Sequence, residues 1–249
     1  MSASEQINGG PGPPAPAGSR GRGPGLLLDW RAISADLNTS GYTILPALVS
    51  PENCRSLAAM YDHDKLFRNR VIMARHGYGQ GEYRYFAYPL PSLVQRLRTA
   101  IYPGLAGIAN DWMQDATYPP AHADYLAACH AAGQTRPTPL LLRYGAGDFN
   151  CLHQDLYGAL MFPLQLAVLL SRPGEDFQGG EFVLLEQRPR QQSRVEVVPL
   201  TQGDAVVFAV NQRPVRGARG VHRVAMRHGV SRVRAGQRHT LGVIFHDAA

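Results

Sequence analysis

Long apolar runs, lysine and cysteine are what this 249-residue chain is short of. No apolar stretch approaches the roughly 20 residues that a membrane helix needs. Leu26-Leu27-Leu28 is too brief and follows Gly and Pro. A membrane span is therefore not expected, and with no signal peptide at its start the chain reads as cytoplasmic. Its three cysteines, Cys54, Cys129 and Cys151, are odd in number and unpatterned. That argues against a disulfide scaffold or a zinc ribbon and for a reducing compartment. Lys65 is the only lysine, so the net charge of +6 is carried by arginine. Acid is missing altogether between Ala205 and His246, an interval that holds Arg213, Arg216, Arg219, Arg223, Arg227, Arg232, Arg234 and Arg238. The expectation is a basic region over 213–238 suited to a polyanion, nucleic acid above all.

What is present changes character along the chain. Residues 1–25 are Pro, Gly, Ala and Ser with almost nothing bulky to bury, the composition of a disordered tail. Residues 26–137 read as a helical and lid region. Asp29–Leu37 has Trp30, Ile33 and Leu37 on one face, Tyr42–Leu45 reads as a strand, and Ser50-Pro51-Glu52 opens a helix with a capping hydroxyl and a proline in its first turn. In Phe67–Pro91, Tyr78, Tyr83, Tyr85 and Tyr88 interleave with Arg68, Arg70, Arg75 and Arg84 around three glycines. Such a segment serves as a lid or stacking surface, or as a hairpin whose tyrosines half-bury. Leu93, Leu97, Ile101, Leu105, Ile108 and Trp112 keep helical spacing, with an interruption expected at Pro103-Gly104. Asp124–Ala132 is a further expected helix.

Residues 138–249 read as an all-β unit. Strands are expected at Leu140–Tyr144, Phe149–His153, Leu164–Ser171, Glu181–Leu185, Val195–Pro199, Ala205–Ala209, Gly220–Val224 and Arg238–His246. Helices precede strands instead of alternating with them, so the fold class is α+β, with a jelly-roll core and supporting N-terminal helices.

The chemistry gathers at His153-Gln154-Asp155. Alternation along a strand turns an imidazole and a carboxylate two positions apart to the same side. With a distant histidine they make a 2-His-1-carboxylate set, which leaves coordination positions open on Fe(II). His222, in Gly220-Val221-His222-Arg223-Val224, is the expected third ligand. Sixteen positions later Arg238 opens a strand, placed to grip a carboxylate with a planar two-pronged guanidinium.

The order H-x-D, His, Arg-x-Thr resembles the Fe(II)/2-oxoglutarate-dependent dioxygenases, in both their prolyl-hydroxylase-like and AlkB-like branches. Phe177-Gln178-Gly179-Gly180-Glu181-Phe182 and the Pro199–Phe208 stretch with Gly203-Asp204 are similar to strand segments of that family. The resemblance covers roughly residues 138–246. It implies a double-stranded β-helix with iron held by His153, Asp155 and His222. It also implies 2-oxoglutarate held by Arg238, with Thr240 and Tyr144 supporting its carboxylate, and ascorbate as an accessory reductant. The reaction implied is hydroxylation of a substrate C–H with release of succinate and CO2. Zinc hydrolysis from the same ligands leaves Arg238 without a role.

Two substrate classes stay open at this point. The Gly-Gly-Glu-Phe and Gly-Asp segments are similar to enzymes that hydroxylate protein side chains. The Tyr144-to-His153 spacing, the Arg- and Tyr-rich segment and the basic interval are similar to enzymes that dealkylate nucleic-acid bases. A nucleic-acid-binding β module without catalysis is the non-enzymatic alternative.

Overall fold

Capping chemistry starts the helices where the sequence places it. In the computed structural model, which describes residues 27–113, 117–156, 158–188, 190–217 and 220–249, helix α1 spans Trp30–Ser40. The Asp29 carboxylate accepts from the amides of Arg31 and Ala32, both at 3.1 Å. Gly41, left-handed at φ 79°, ends the helix by donating its N–H to the Leu37 carbonyl. Strand β1 (Tyr42–Leu45) leads to α2 (Pro51–Ala59), where the Ser50 hydroxyl accepts from the Asn53 amide. The expected tail at 1–25 lies outside the described residues.

Three short strands follow: β2 (Phe67–Ile72), β3 (Gly79–Gln80) and β4 (Glu82–Phe86). Then come α3 (Ser92–Trp112) and α4 (His122–Ala131). Helix α3 runs unbroken through Pro103, contrary to the interruption expected there. One lost backbone bond costs a helix about 3 kcal/mol. Burying Ile101, Leu105, Ile108 and Trp112 outweighs that, at about 1.5–3 kcal/mol for a large apolar side chain. Gly104 belongs to the same packing, since a Cβ there would fall inside the Trp30 indole.

From Leu140 onward the chain is strand and turn: β5 (Leu140–Tyr144), β6 (Phe149–His153), β7 (Leu164–Leu169), β8 (Phe177–Gly179), β9 (Phe182–Gln187) and β10 (Arg194–Val198). Next are β11 (Ala205–Ala209), β12 (Gln212–Gly217), β13 (Gly220–Val230), β14 (Val233–Gly236) and β15 (Arg238–Val243). A seven-stranded sheet has the order β1-β11-β7-β15-β5-β4-β2. A six-stranded sheet has the order β10-β9-β13-β6-β3, with β12 added on β13, and β14 pairs with β8. All the registers between these strands are antiparallel. Mixed helices and two antiparallel sheets make the α+β double-stranded β-helix. The 67–91 segment is held by both sheets, because β4 pairs with β2 and β5 in the seven-stranded sheet and β3 pairs with β6 in the six-stranded one.

Alternation divides the seven-stranded sheet between two tasks. Leu141, Leu164, Leu166, Val168, Leu241 and Val243 pack into one core with the inner faces of α1, α2, α3 and α4. The intervening Leu142, Tyr144, Gln165, Ala167, Arg238 and Thr240 line a cavity. The helical layer is also bolted on electrostatically. Arg98 of α3 and Asp247 are both fully buried, with Nη2 2.7 Å from Oδ1. Arg98 Nε donates to the Ile244 carbonyl at 2.9 Å, and Tyr88 Oη and His130 Nε2 reach the other Asp247 oxygen at 2.9 and 2.8 Å.

Burial raises the Asp247 carboxyl, but Arg98, His130 and Tyr88 more than offset this and hold it below its ordinary value. A carboxylate whose folded pKa is depressed contributes stability that is complete above its unfolded value and is lost as pH falls through the folded one. Arg98→Met leaves the carboxylate buried and unpaired, so urea unfolding near neutral pH should show a loss of about 3–5 kcal/mol. That deficit should shrink as pH falls below about 4, where aspartates of the unfolded chain take up protons and the advantage of the pair begins to be lost. A variant as stable as wild type at neutral pH would refute the role given to the pair.

Candidate active site

The centre is built where β6 ends. Strand β6 is short and carries His153 as its last residue, directly across from His228 of β13. Asp155 follows two positions later and is buried. Its Oδ1 lies 3.4 Å from His153 Nε2 and its Oδ2 lies 3.4 Å from His228 Nε2. The imidazole centroids are 4.2 Å apart, and one donor atom from each of the three residues lies within 4.8 Å of the others. Two imidazole nitrogens and a carboxylate oxygen converging at this spacing suit a divalent first-row metal with positions left open.

His228 takes the place that the sequence reading assigned to His222. His222 is exposed, near the start of β13, and faces Val215 of β12. It is six residues from His228, roughly 20 Å along an extended strand. The error came from ending the strand at Val224, whereas β13 continues to Val230. Val224, Met226, His228 and Val230 are buried and alternate with the exposed Arg227. That alternation was in the sequence, hidden by the arginines between which it runs.

Each group is prepared by its neighbours. His153 Nδ1 is 2.7 Å from the Cys151 carbonyl. A carbonyl can only accept, so Nδ1 carries the hydrogen and Nε2 turns its lone pair to the cavity. The His228 ring is stacked on Phe182, with centroids at 6.1 Å, and tilted against Phe208 at 4.6 Å. Burial raises the Asp155 carboxyl, yet the hydrogen bonds and charges of His153 and His228 hold it well below the usual range. Burial opposes protonation of His153, and Asp155 more than reverses this, so its pKa is raised. For His228 burial prevails and the pKa is lowered, despite Asp155. One carboxylate between two imidazoles is what the protein itself supplies.

The cosubstrate candidates lie together on the opposite wall. Arg238 of β15 pairs with Tyr144 of β5, and its Nη1 donates to Thr240 Oγ1. The guanidinium is 98% shielded, lies 5.6 Å from the Tyr144 ring centroid and makes no ion pair among the described residues. Among the described residues, its Nε and the Tyr144 hydroxyl find no hydrogen-bond partner, and both are buried. Burial lowers the Arg238 pKa to about 10, with Tyr144 and Glu181 opposing, so it remains a cation at neutral pH. A buried cation with unused donors is a receptor for a carboxylate. Gly180 makes room for its stem: it sits at φ 63°, and a Cβ there would come within 3.0 Å of Arg238 Cδ.

The cavity between these walls measures about 190 Å³, and Tyr78, Tyr83 and Tyr85 also line it. Tyr83 and Tyr85 meet edge to face with centroids at 5.4 Å, while Tyr78 is half-exposed at 49%. The basic interval is less uniform than its sequence. Arg213 is buried against Glu186 and the Asn38 carbonyl, Arg223 donates to the Trp112 carbonyl, and Arg238 is inside the cavity. Arg216 and Arg227 are exposed, and Arg219 lies outside the described residues. Gln165, which the sequence reading passed over, lines the cavity from β7.

Comparison with known proteins agrees with this architecture. Residues 81–248 match a family described as an oxygenase catalysing oxidative methylation of damaged DNA. An uncharacterized protein of Mycobacterium tuberculosis is 51% identical over 168 residues, which are 66% of this chain and 72% of the relative. Among solved structures, a Pseudomonas putida prolyl-4-hydroxylase superposes with a TM-score of 0.51 at 15% identity, covering 86% of this chain and 96% of that one. An oxidoreductase of the 2OG-Fe(II) oxygenase family from Burkholderia pseudomallei gives 0.50 at 17% identity, covering 90% and 94%. No helix among the described residues is long and apolar enough to cross a membrane. The fold is the double-stranded β-helix of these solved oxygenases, and with a family match over 81–248 the chain belongs to that oxygenase family.

Proposed function

We propose that this oxygenase removes an alkyl group oxidatively from a damaged nucleic-acid base. His153, Asp155 and His228 are the metal ligands in this reading, and Arg238, Thr240 and Tyr144 hold the distal carboxylate of 2-oxoglutarate. The unpaired donors of Arg238 and Tyr144 fit that anion, and the open side of the triad fits the metal. When bound there, Fe(II) and 2-oxoglutarate supply the oxidant: one oxygen atom of O2 leaves in succinate and the other is delivered to a substrate C–H. An N-methyl group hydroxylated in this way becomes N-hydroxymethyl, which breaks its C–N bond to give formaldehyde and the free amine.

The observation that carries the substrate class is the aromatic wall. Tyr78, Tyr83 and Tyr85 line the same cavity as the triad. A stacked base cannot reach a metal inside a barrel, so the nucleotide has to leave the helix or come from a single strand. Aromatic side chains replace the stacking that it loses, at about 1–3 kcal/mol per base. The damaged-DNA description of the matching family supports the same class. The exposed Arg216 and Arg227 are available for phosphates.

Three measurements test this reading. His228→Ala should weaken Fe(II) or Co(II) binding by more than the roughly 10- to 100-fold typical of a lost outer partner, while His222→Ala binds as wild type does. Loss in His222→Ala with binding kept in His228→Ala would return the assignment to the earlier histidine. Arg238→Lys replaces a planar fork by a point charge, so the Michaelis constant for 2-oxoglutarate should rise at least tenfold, and an unchanged constant would move the carboxylate elsewhere. Finally, oligonucleotides carrying N-methylated bases should release formaldehyde with succinate. No formaldehyde from any of them, together with a peptide that stimulates succinate release and gains one oxygen, would replace the base by a protein side chain.

A further inference from the structure

Buried polar atoms without partners cost stability, so a fold that keeps them has a use for them. Four line the cavity: the Tyr144 hydroxyl, Arg238 Nε, His228 Nδ1 and Gln165 Nε2. The first three belong to groups that already have a role at the metal or the cosubstrate. Gln165 does not. It is 4% exposed and sits in β7, whose six residues are all buried and otherwise apolar.

Other glutamines of this protein show what a structural amide does here. Gln134 Nε2 donates to the Leu160 and Asp247 carbonyls, Gln154 Nε2 to those of Asn211 and Met226, and Gln202 Nε2 to that of Leu170. Gln165 Nε2 donates to nothing among the described residues.

Register locates it relative to the two occupants of the cavity. Gln165 is directly across from Phe208, whose ring is 4.6 Å from that of His228, so it stands level with the triad. Leu169 of the same strand faces Thr240. Gln165 is therefore four residues, roughly 13 Å, beyond the Thr240 row, and Arg238 is two residues further still. A five-carbon diacid gripped by Arg238 has its far end at the metal, so the Gln165 amide, level with the triad, stands at the end of the cavity away from the Arg238 grip. What comes into reach of the Gln165 amide is the molecule that reacts.

We propose that the Gln165 side-chain amide determines specificity, donating a hydrogen bond to a ring nitrogen or carbonyl oxygen of the base presented to the triad. This inference rests on the base-dealkylation reading above. The neighbouring walls are Phe182, Phe208 and Ala167, which sense shape alone. A single donor in such surroundings discriminates strongly, because a base without a matching acceptor leaves it unmet.

The test compares wild type with Gln165→Leu, which keeps the bulk and removes the amide, and with Gln165→Glu, which replaces the donor by an acceptor. Without ligands, Gln165→Leu should melt at the wild-type temperature or above, since an apolar group replaces an unmet amide; a fall of several degrees would make Gln165 structural and overturn the proposal. Anaerobic 2-oxoglutarate binding should be unchanged in Gln165→Leu, and a weakened affinity would assign the amide to the cosubstrate instead. On an N-methylated oligonucleotide turned over by wild type, kcat/KM should fall roughly 10- to 100-fold in both variants. Undiminished turnover by the variants would overturn the role of Gln165 and leave the dealkylation reading standing. Wild type inactive on every alkylated oligonucleotide would sink that reading and this inference together.

Discussion

The register between β6 and β13 is the constraint on which the centre of this protein depends. These strands put His153 opposite His228, and the turn after His153 brings Asp155 between them. Because side chains alternate, a slip of one residue would turn His228 to the outer face and bring Arg227 or Gly229 inward. The slip is opposed from several sides. Strand β13 is also zipped to β9 over six pairs, from Ala225–Gln187 to Val230–Phe182. Gly229 lies so close to the Asn150 and Cys151 carbonyls that a Cβ would come within 2.8 Å of the first. The irregularity between His228 and Val230 follows immediately, so the imidazole is aimed where the ladder is interrupted.

Charge balance adds a second demand on the same space. Arg238 is buried with no ion pair among the described residues, and the carboxylate of Asp155 is shared by two imidazoles. Desolvation makes a lone interior cation costly, and here the Tyr144 and Phe177 ring faces, a threonine hydroxyl and the distant Glu181 soften it. The cavity is therefore biased toward a carboxylate at one end and toward neutral, flat groups at the other, where Phe182, Phe208 and Ala167 form the wall. Polarity along the barrel thus sorts what enters by where it can rest.

Sequence reasoning recovered the parts of this arrangement that obey short-range rules. His153 and Asp155 came from a two-residue alternation, and Arg238, Thr240 and Tyr144 from a family resemblance that the register then brought onto one wall. The N-cap residues and the order of helices before strands needed only local chemistry. The misses needed information from outside their own segment. His222 and His228 sit at the same parity on one strand, and what separates them is where β9 and β6 stop covering it. The arginines looked equivalent in composition, yet Arg213 is consumed by Glu186, twenty-seven positions away. Pro103 marked a break that tertiary packing overruled. Gln165 carried a signal that was simply unread: one amide in the run Leu164–Leu169, where five apolar neighbours prescribe burial.

The bolt between Arg98 and Asp247 has a consequence for the order in which the molecule can be completed. The partners are 149 positions apart, and Asp247 follows all fifteen strands in the described chain. During synthesis from the amino end, α3 exists long before the carboxylate that fixes it, and Arg98 has to remain hydrated until then. The carbonyls of Ile244 and His246, which complete its surroundings, arrive in the same final stretch. Closure of the helical layer is thus a late, long-range event that no nascent N-terminal fragment can perform alone, and loop closure over such distances slows folding. A ribosome stalled before the last strand would hold a chain in which His153, Asp155 and His228 are all made but whose scaffold has nothing to lock onto.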